Sequence, residues 1–423
     1  MNGLKKSDRC LKPTVIFALS LIAGILTTAC EQQQAGLKLG NLLPTTGDLS
    51  SIGQNMSGVV ELAVEKINEC GGVNENPVTV ISQDTQTDPS AGSQAMTKLA
   101  EVDKVAGVVG SFASSVSSSA VTIAVRNKVM MISPGSTSPV FTRDAKKGKF
   151  KGYWARTAPP DTYQARALAV LAHKQGFKQV STVVINNDYG VGFEKEFVEA
   201  FQKLGGKVVN SSSPVRYDPK AATLDSEAKA AFRGQPDAVA AVVYIETGSV
   251  LLKSAFEQGL SKDVTILLTD GVYSEDFVKQ VGKTGDGKSI IAGALGTVPG
   301  ADGEGLSELR EYWKEKRAKE ITAFVPHAWD AAVLMMLAAE AANENTGVGI
   351  KSKIREVANA PGQEVSDVCE AIELVRKGED INYQGASGNV DIDENGDVIG
   401  SYDVWKVNPE GTLEVIDRVQ PTQ

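Results

Sequence analysis

The sequence predicts an α/β protein of two doubly wound three-layer lobes joined by a multi-strand hinge. Three observations lead there. Short apolar runs that end in glycine or hydroxyl-rich loops alternate with helical patterns, as parallel strands covered on both faces do. That pattern runs to about residue 157, then restarts and runs again. The stretch from about residue 290 onward neither stands alone nor repeats it, so the chain returns to the first lobe and then to the second. A chain of 423 residues is long enough for such cores. Lobes joined by several crossings make a hinge, and hinged lobes close on ligands.

Taken in order, residues 37–43 read as the first strand, followed by Pro44-Thr45-Thr46-Gly47-Asp48-Leu49. Residues 58–68 carry helical spacing (Val59, Leu62, Ala63, Lys66, Ile67) and stop at Gly71-Gly72. Residues 78–82 are a strand, and Asp88-Pro89 opens a helix with proline at its first position. The apolar run 105–110 is the next strand. Ser114 and Ser115 sit where a helix begins, and residues 129–132 form a strand that stops at Ser133-Pro134-Gly135-Ser136-Thr137. Two neighbouring strands thus end in small hydroxyl-bearing loops at one sheet edge, where open α/β folds bind ligands. Hydroxyls and the free N–H groups of a helix start suit a small carboxylate. Serines also cap helices and line turns with no ligand in view.

A lysine- and glycine-rich joint over 144–152 leads to Arg156-Thr157, and the second lobe follows. Its expected helices cover 162–176, 192–204, 221–233 and 247–258. Its strands cover 179–186, 207–215, 238–244 and 264–268. The strand ends offer Asp188-Tyr189, Tyr244-Ile245-Glu246 and Thr269-Asp270-Gly271. The remainder reads as a strand at 290–295, helices near 304–319, 323–342, 351–358 and 365–377, and strands at 388–392, 398–407 and 412–416. The expected division is 37–157 plus 294–398 for the first lobe and 158–293 plus 399–419 for the second.

The N-terminus reads as an address. Lys5, Lys6, Arg9 and Lys12 precede an apolar stretch over 15–26, too short to span a bilayer comfortably. It runs into Leu26-Thr27-Thr28-Ala29-Cys30, which resembles a bacterial lipobox. Residues 1–29 are then a leader, Cys30 carries lipid, and 30–36 tether the domain to the membrane. An ordinary signal peptide cut after Ala29 is the alternative; either way the protein is exported. Cys70 and Cys369 remain in the exported body, either as a disulfide or as two separate buried thiols.

Composition narrows the function. Hydrophobic residues make 42% and charged ones 22%, an ordinary globular balance. A net charge of −9 argues against a nucleic-acid partner. Two histidines, His173 and His327, and four cysteines leave little for a zinc site, and no metal or cofactor is expected. Residues 282–289 spell G-x4-G-K-S, but a helix precedes the run and a strand follows, the reverse of a phosphate loop. Asp391–Asp397 copies half of a calcium loop, yet Tyr402 stands where a bidentate glutamate belongs. No nucleophile is assembled with a base, so an enzyme is not expected. His327 begins an apolar helix and reads as packing or cleft lining.

Leu43-Pro44-Thr45-Thr46-Gly47, Ala63–Asn68 with Gly71-Gly72-Val73, Val108–Ser111, Ile132–Thr137, Asn187–Gly190 and Tyr383–Gly388 occur in an order and spacing that resembles the branched-chain-amino-acid type of periplasmic substrate-binding proteins, which serve ABC importers. Within that family it is similar to cyanobacterial neutral-amino-acid binding components. The resemblance spans about 37–419 and implies the type I periplasmic-binding-protein fold. It also implies an α-carboxylate held by Ser114, with Ser115 beside it, and by Gly135, Ser136 and Thr137. Asp270 would accept the α-ammonium and Tyr189 would line the cleft. Tyr244 or Glu246 would add a contact. Arg156 would be a hinge or interlobe residue. The aromatic that many relatives place near Ile52 is missing, which bears on the side-chain pocket. The implied protein is a monomeric, lipid-anchored receptor on the periplasmic side of the bacterial plasma membrane. It captures a neutral or branched-chain amino acid and delivers it to ABC permease subunits. Two alternatives keep the fold or the compartment: a binder of urea, short amides or aromatic acids, and an exported amidohydrolase using Asp270 or Glu246.

Overall fold

A computed structural model describes residues 35–420, so the leader and Cys30 lie outside the described residues. Strands β1 (Lys38–Leu43), β2 (Thr79–Asp84), β3 (Gly107–Gly110), β4 (Met130–Ser133) and β5 (Trp154–Arg156) form a wholly parallel sheet in the order β2-β1-β3-β4-β5. A second sheet is wound the same way. There, β6 (Gln179–Ile185), β7 (Lys207–Val208), β9 (Ala238–Val242), β10 (Thr265–Leu268) and β11 (Leu295–Pro299) are ordered β7-β6-β9-β10-β11. The short β8 (Val215–Tyr217) also pairs with β6. In each sheet the winding reverses next to the first strand, and the crevice at that reversal is the ligand position of such folds.

β11 is where the expected division fails. The boundary expected at 294 sends this segment to the first lobe. It is instead the fifth parallel strand of the second sheet, buried along its whole length between β10 and the antiparallel β14 (Tyr402–Val407). The return to the first lobe therefore follows Pro299. β12 (Gln363–Val365) and β13 (Ile381–Tyr383) pair only with each other, and β15 (Leu413–Val419) closes the second sheet as its edge.

Two other strand expectations give way to side-chain chemistry. The run 207–215 splits into β7 and β8 because Asn210, in the turn between them, bonds through its side chain to the Thr182 backbone. Over 388–397, Asn389 and Asp393 accept main-chain N–H groups, replacing a ladder with side-chain-supported turns. In the first lobe a helix over Val140–Lys146 runs into the start of the expected joint, and the rest of the joint is a turn.

The returning helices complete the first lobe. Val325–Ala342 is apolar all round and buried from Val325 to Ala339, as a core helix must be. It packs on the helix Ser50–Glu69 and on β3 and β4. Its Asp330 receives the Ala386 and Ser387 N–H groups at 2.8 and 2.7 Å, which fixes the Tyr383–Gly388 stretch to the core. Cys70 and Cys369 are joined as a disulfide, with Cα atoms 5.3 Å apart, tying the helix Ser50–Glu69 to the returning segment. Residues 282–289 form an exposed turn closed by a Lys283–Ser289 bridge. No helix among the described residues is long and apolar enough to cross a membrane.

The lobes meet across the crevice. Ser138 donates to the Asp188 carbonyl at 2.7 Å. Asp48, just after β1, accepts from the Glu246 N–H and from the Thr247 hydroxyl, capping the second-lobe helix Ile245–Glu257. Asp88 pairs with Lys220 at 3.2 Å. These contacts describe a closed cleft.

Candidate ligand-binding site

The first wall is built of serines. The helix Ser114–Asn127 starts directly after the β3 loop, and no acidic residue sits in its first turn. Its N-terminus is therefore an uncancelled positive dipole end. Ser114 is buried, and its Oγ receives the Ser138 N–H at 3.3 Å, joining the two loops. Ser115, the second residue of the helix, is half-buried. The Ser133 hydroxyl donates to the Ser111 carbonyl and accepts from the Gly135 and Ser136 N–H groups. Gly135 is required there, because a Cβ at that position would lie 2.2 Å from the Phe112 ring.

Ser136 departs from its expected role. Its hydroxyl lies 2.8 Å from Ser117 Oγ and within 3.1 Å of the Ser111 and Phe112 carbonyls. It therefore braces the loops instead of pointing a donor outward. Thr137 behaves differently: its Oγ1 is buried and has no hydrogen-bond partner.

Arg156 holds this wall from behind. It is fully buried and donates through Nη1 to the Ser136 and Ser138 carbonyls at 3.0 and 3.1 Å. Its Nε donates to Asp397 at 2.8 Å, and Nη2 to the Thr142 hydroxyl. The expected hinge residue thus ties the small-residue loop to the crossing segment that carries Asp397.

The opposite wall is acidic and aromatic. Asp270 opens a single turn after β10, and Gly271 follows because a Cβ there would meet the Val243 carbonyl at 2.8 Å. The Tyr189 hydroxyl donates to Asp270 Oδ1 at 2.9 Å and lies 2.7 Å from Thr269 Oγ1. Tyr244 stacks on Tyr189 with centroids 5.7 Å apart and planes 11° apart. Asn187 donates to the Tyr244 hydroxyl at 3.3 Å and caps the helix that carries Tyr189. Glu246 is not part of this wall. Its side chain is exposed, because it sits in the first turn of its helix, and its backbone N–H is what reaches Asp48.

Asp161 is the residue that sequence reasoning missed. It follows Pro159-Pro160 at the first position of the helix Asp161–Lys174, where an acid ordinarily serves only the helix dipole. Here it is fully buried, and neither carboxylate oxygen has a hydrogen-bond partner. Its N–H donates to the Thr137 carbonyl at 2.8 Å, so it adjoins the first wall. Burial raises its pKa well above the ordinary carboxylate value and the Asp270 charge raises it further, with the nearby Thr137 hydroxyl and the Arg156 charge opposing the shift. Burial likewise raises Asp270, with hydrogen bonds from Tyr189 and Gln164 opposing the shift. Burial, then the Asp270 charge, pushes the Tyr189 phenol well above its usual value, so it remains a neutral donor. Two buried carboxyls within reach of each other's charge cannot both ionise without a cation between them.

The family model described as "Receptor family ligand binding region" matches residues 55–410. The substrate-binding protein BasB of a chemotactic signal transduction system in Halobacterium salinarum is 26% identical over 84% of this chain and 83% of its own. The Leu/Ile/Val-binding protein homolog 1 of Brucella abortus is 25% identical over 76% of this chain and 83% of its own. Among solved structures, a leucine-binding protein LivK from Thermotoga maritima superposes with a TM-score of 0.75 at 26% identity, covering 91% of this chain and 99% of that one. A match over most of the chain, a binding-protein fold over nearly all of it and a polar crevice at the switch points of both sheets lead to one conclusion: the chain belongs to the receptor-family ligand-binding-region family.

Proposed function

We propose that the cleft captures a neutral amino acid as its zwitterion and hands it to the permease subunits of an ABC importer. The single observation that carries this reading is that buried Asp161, both of its oxygens lacking hydrogen-bond partners, lies within reach of the Asp270 charge and next to a wall of helix N–H groups and hydroxyls. The α-ammonium has three N–H donors, which match Asp161, Asp270 and the Thr137 hydroxyl. The α-carboxylate is left to the start of the Ser114–Asn127 helix, with Ser114, Ser115 and Gly135 around it. Tyr189 and Tyr244 cover the ligand from the second lobe. Ser136, Arg156 and Asn187 position these groups without touching it. Neither aromatic acids nor urea and short amides neutralise two buried acids, which favours the zwitterion over both.

The relatives named Leu/Ile/Val-binding and leucine-binding proteins support an amino-acid ligand. The leader-like stretch ending at Cys30 supports export and lipid attachment, with the monomeric domain tethered outside the plasma membrane. The test is a thermal melt of the purified protein against single amino acids, urea, acetamide and benzoate. A ligand at 100 times its dissociation constant adds about 2.7 kcal/mol. A shift with neutral amino acids that Asp270→Ala abolishes is the expected result. A shift with benzoate or urea alone refutes the assignment.

A further inference from the structure

A crevice of about 520 Å³ runs between the lobes beside the site. Its lining includes Ile52, Phe324 and His327 from the first lobe and Tyr273 and Ser274 from the second, together with charged side chains such as Asp276, Lys279 and Arg310. Neighbours of the site residues on both walls line it. Tyr273 follows the turn that Asp270 opens, and its N–H donates to the Asp270 carbonyl at 3.1 Å. On the other side, Phe112 packs under Gly135 and meets Phe324 edge-on at 4.8 Å, and Phe324 lies 5.6 Å from the His327 ring. With the α-carboxylate and α-ammonium held as proposed above, this crevice is the space left for the ligand's side chain.

His327 is a buried polar group whose ring is not fully met by the protein. It is 2% exposed, and its Nδ1 has no hydrogen-bond partner. Its backbone is fixed, because the Thr157 hydroxyl donates to its carbonyl at 2.7 Å. Burial lowers its pKa to about 3, so the ring is neutral at physiological pH, with one N–H donor and one lone pair. A buried polar atom without a partner is destabilising unless a ligand or water satisfies it. A packing role alone is better met by leucine or phenylalanine at the same position.

We propose that His327 reads the ligand's side chain and selects a short polar one, a hydroxyl or a carboxamide, over a branched aliphatic one. This inference rests on the zwitterion reading and narrows it. A hydroxyl or carboxamide both donates and accepts, so it can satisfy either face of a neutral imidazole. Leucine, close in size to asparagine, leaves the ring nitrogen buried and unmet. Ile52 and Phe324 limit the length and bulk that fit beside it.

Calorimetric titration of the full-length protein with asparagine, serine, alanine and leucine tests this. Asparagine is expected to bind at least about tenfold tighter than leucine, and serine tighter than alanine, as an unmet buried hydrogen bond requires. His327→Leu brings the asparagine-to-leucine ratio to one or below. His327→Gln, which keeps a donor and an acceptor, preserves the preference for asparagine. Leucine binding tighter than asparagine in the wild-type protein overturns the inference, whether or not the leucine variant folds. An unchanged ratio in a folded His327→Leu protein also overturns it and leaves the zwitterion reading intact. Failure of every amino acid to bind overturns both.

Discussion

The two walls of the cleft are opposites in how their polar groups are met. On the serine wall, Ser133, Ser136 and Ser117 bond to one another and to neighbouring backbone, and Arg156 holds the loop carbonyls. On the acidic wall, Asp161 has no partner on either oxygen and shares its surroundings with Asp270. The Ser133, Ser136 and Ser117 hydroxyls are met before any ligand arrives. Asp161, and Thr137 Oγ1 near it, are met only with a ligand in the cleft. Preorganised donors lose little freedom when an anion binds. An unmet carboxyl makes the closed form depend on the ligand, which is how a ligand selects one state of a hinge.

The sharpest way to break this contrast is Arg156→Leu. It removes four bonds from behind the serine wall and leaves Asp397 nearly buried without its ion partner. A loss of about 3–5 kcal/mol is expected in chemical denaturation, as for other broken buried pairs. If the variant melts like wild type, the wall is not held this way. Next in size, Asp270→Ala should weaken amino-acid binding by about 100-fold, since a charged hydrogen bond contributes about 1.5–3 kcal/mol. The empty protein should change little in stability, because a buried charge is removed and the Tyr189 hydroxyl keeps Thr269 Oγ1 as a partner. Equal loss of binding and of stability would instead mark Asp270 as a structural residue.

Acid sharpens the same contrast. Asp270 is raised from 3.8 to about 6, with burial the first cause and hydrogen bonds opposing it. A folded pKa above the unfolded one means that the folded protein binds more protons between those values. Stability of the empty protein therefore rises as pH falls through that window. Ammonium capture needs the ionised acids, so the ligand-induced rise in melting temperature should shrink as pH falls through about 6. Asp330 is raised to about 6 by burial as well and adds to the first trend alone. The difference between melts with and without ligand, taken from pH 7.5 to 4.5, separates the two. A difference that stays constant across the range would remove the acids from the ligand site. The smallest effect is expected at Asp48, which caps a second-lobe helix from the first lobe. Asp48→Ala removes a cap worth about 1 kcal/mol in the closed form only, a loss of about fivefold in affinity. Affinity equal to wild type would show that this contact does not bias closure.

Much of this was legible in the chain. Short apolar runs closed by Gly110, Ser133 and Asp270 mark the strands and their carboxyl ends. Two serine-bearing loops after β3 and β4 mark one wall of the site before any coordinates. What was not legible follows from how side chains turn. Glu246 and Tyr244 stand two residues apart, yet one is exposed and the other stacks in the cleft. Ser136 and Thr137 are neighbours of similar chemistry, and only the first has its hydroxyl engaged in the loop. Asp161 reads as an ordinary acid in a helix's first turn, because nothing local shows that Asp270, over a hundred residues later, faces it. The lobe of β11 is not legible either, because a short apolar run carries no record of which sheet it joins.

The sequence by itself determined the winding of both lobes, the loops at their edges and the neutral-donor character of one wall. Those depend on local periodicity, turn residues and the end of each apolar run, which neighbours in the chain decide. Tertiary structure alone decided which polar groups are met and which are left over. It brought Asp161 within reach of the Asp270 charge, left Nδ1 of His327 without a partner, and set Asp48 on a helix of the other lobe. Burial and pairing are properties of space, and in a chain that crosses its hinge repeatedly, partners in space lie far apart in sequence.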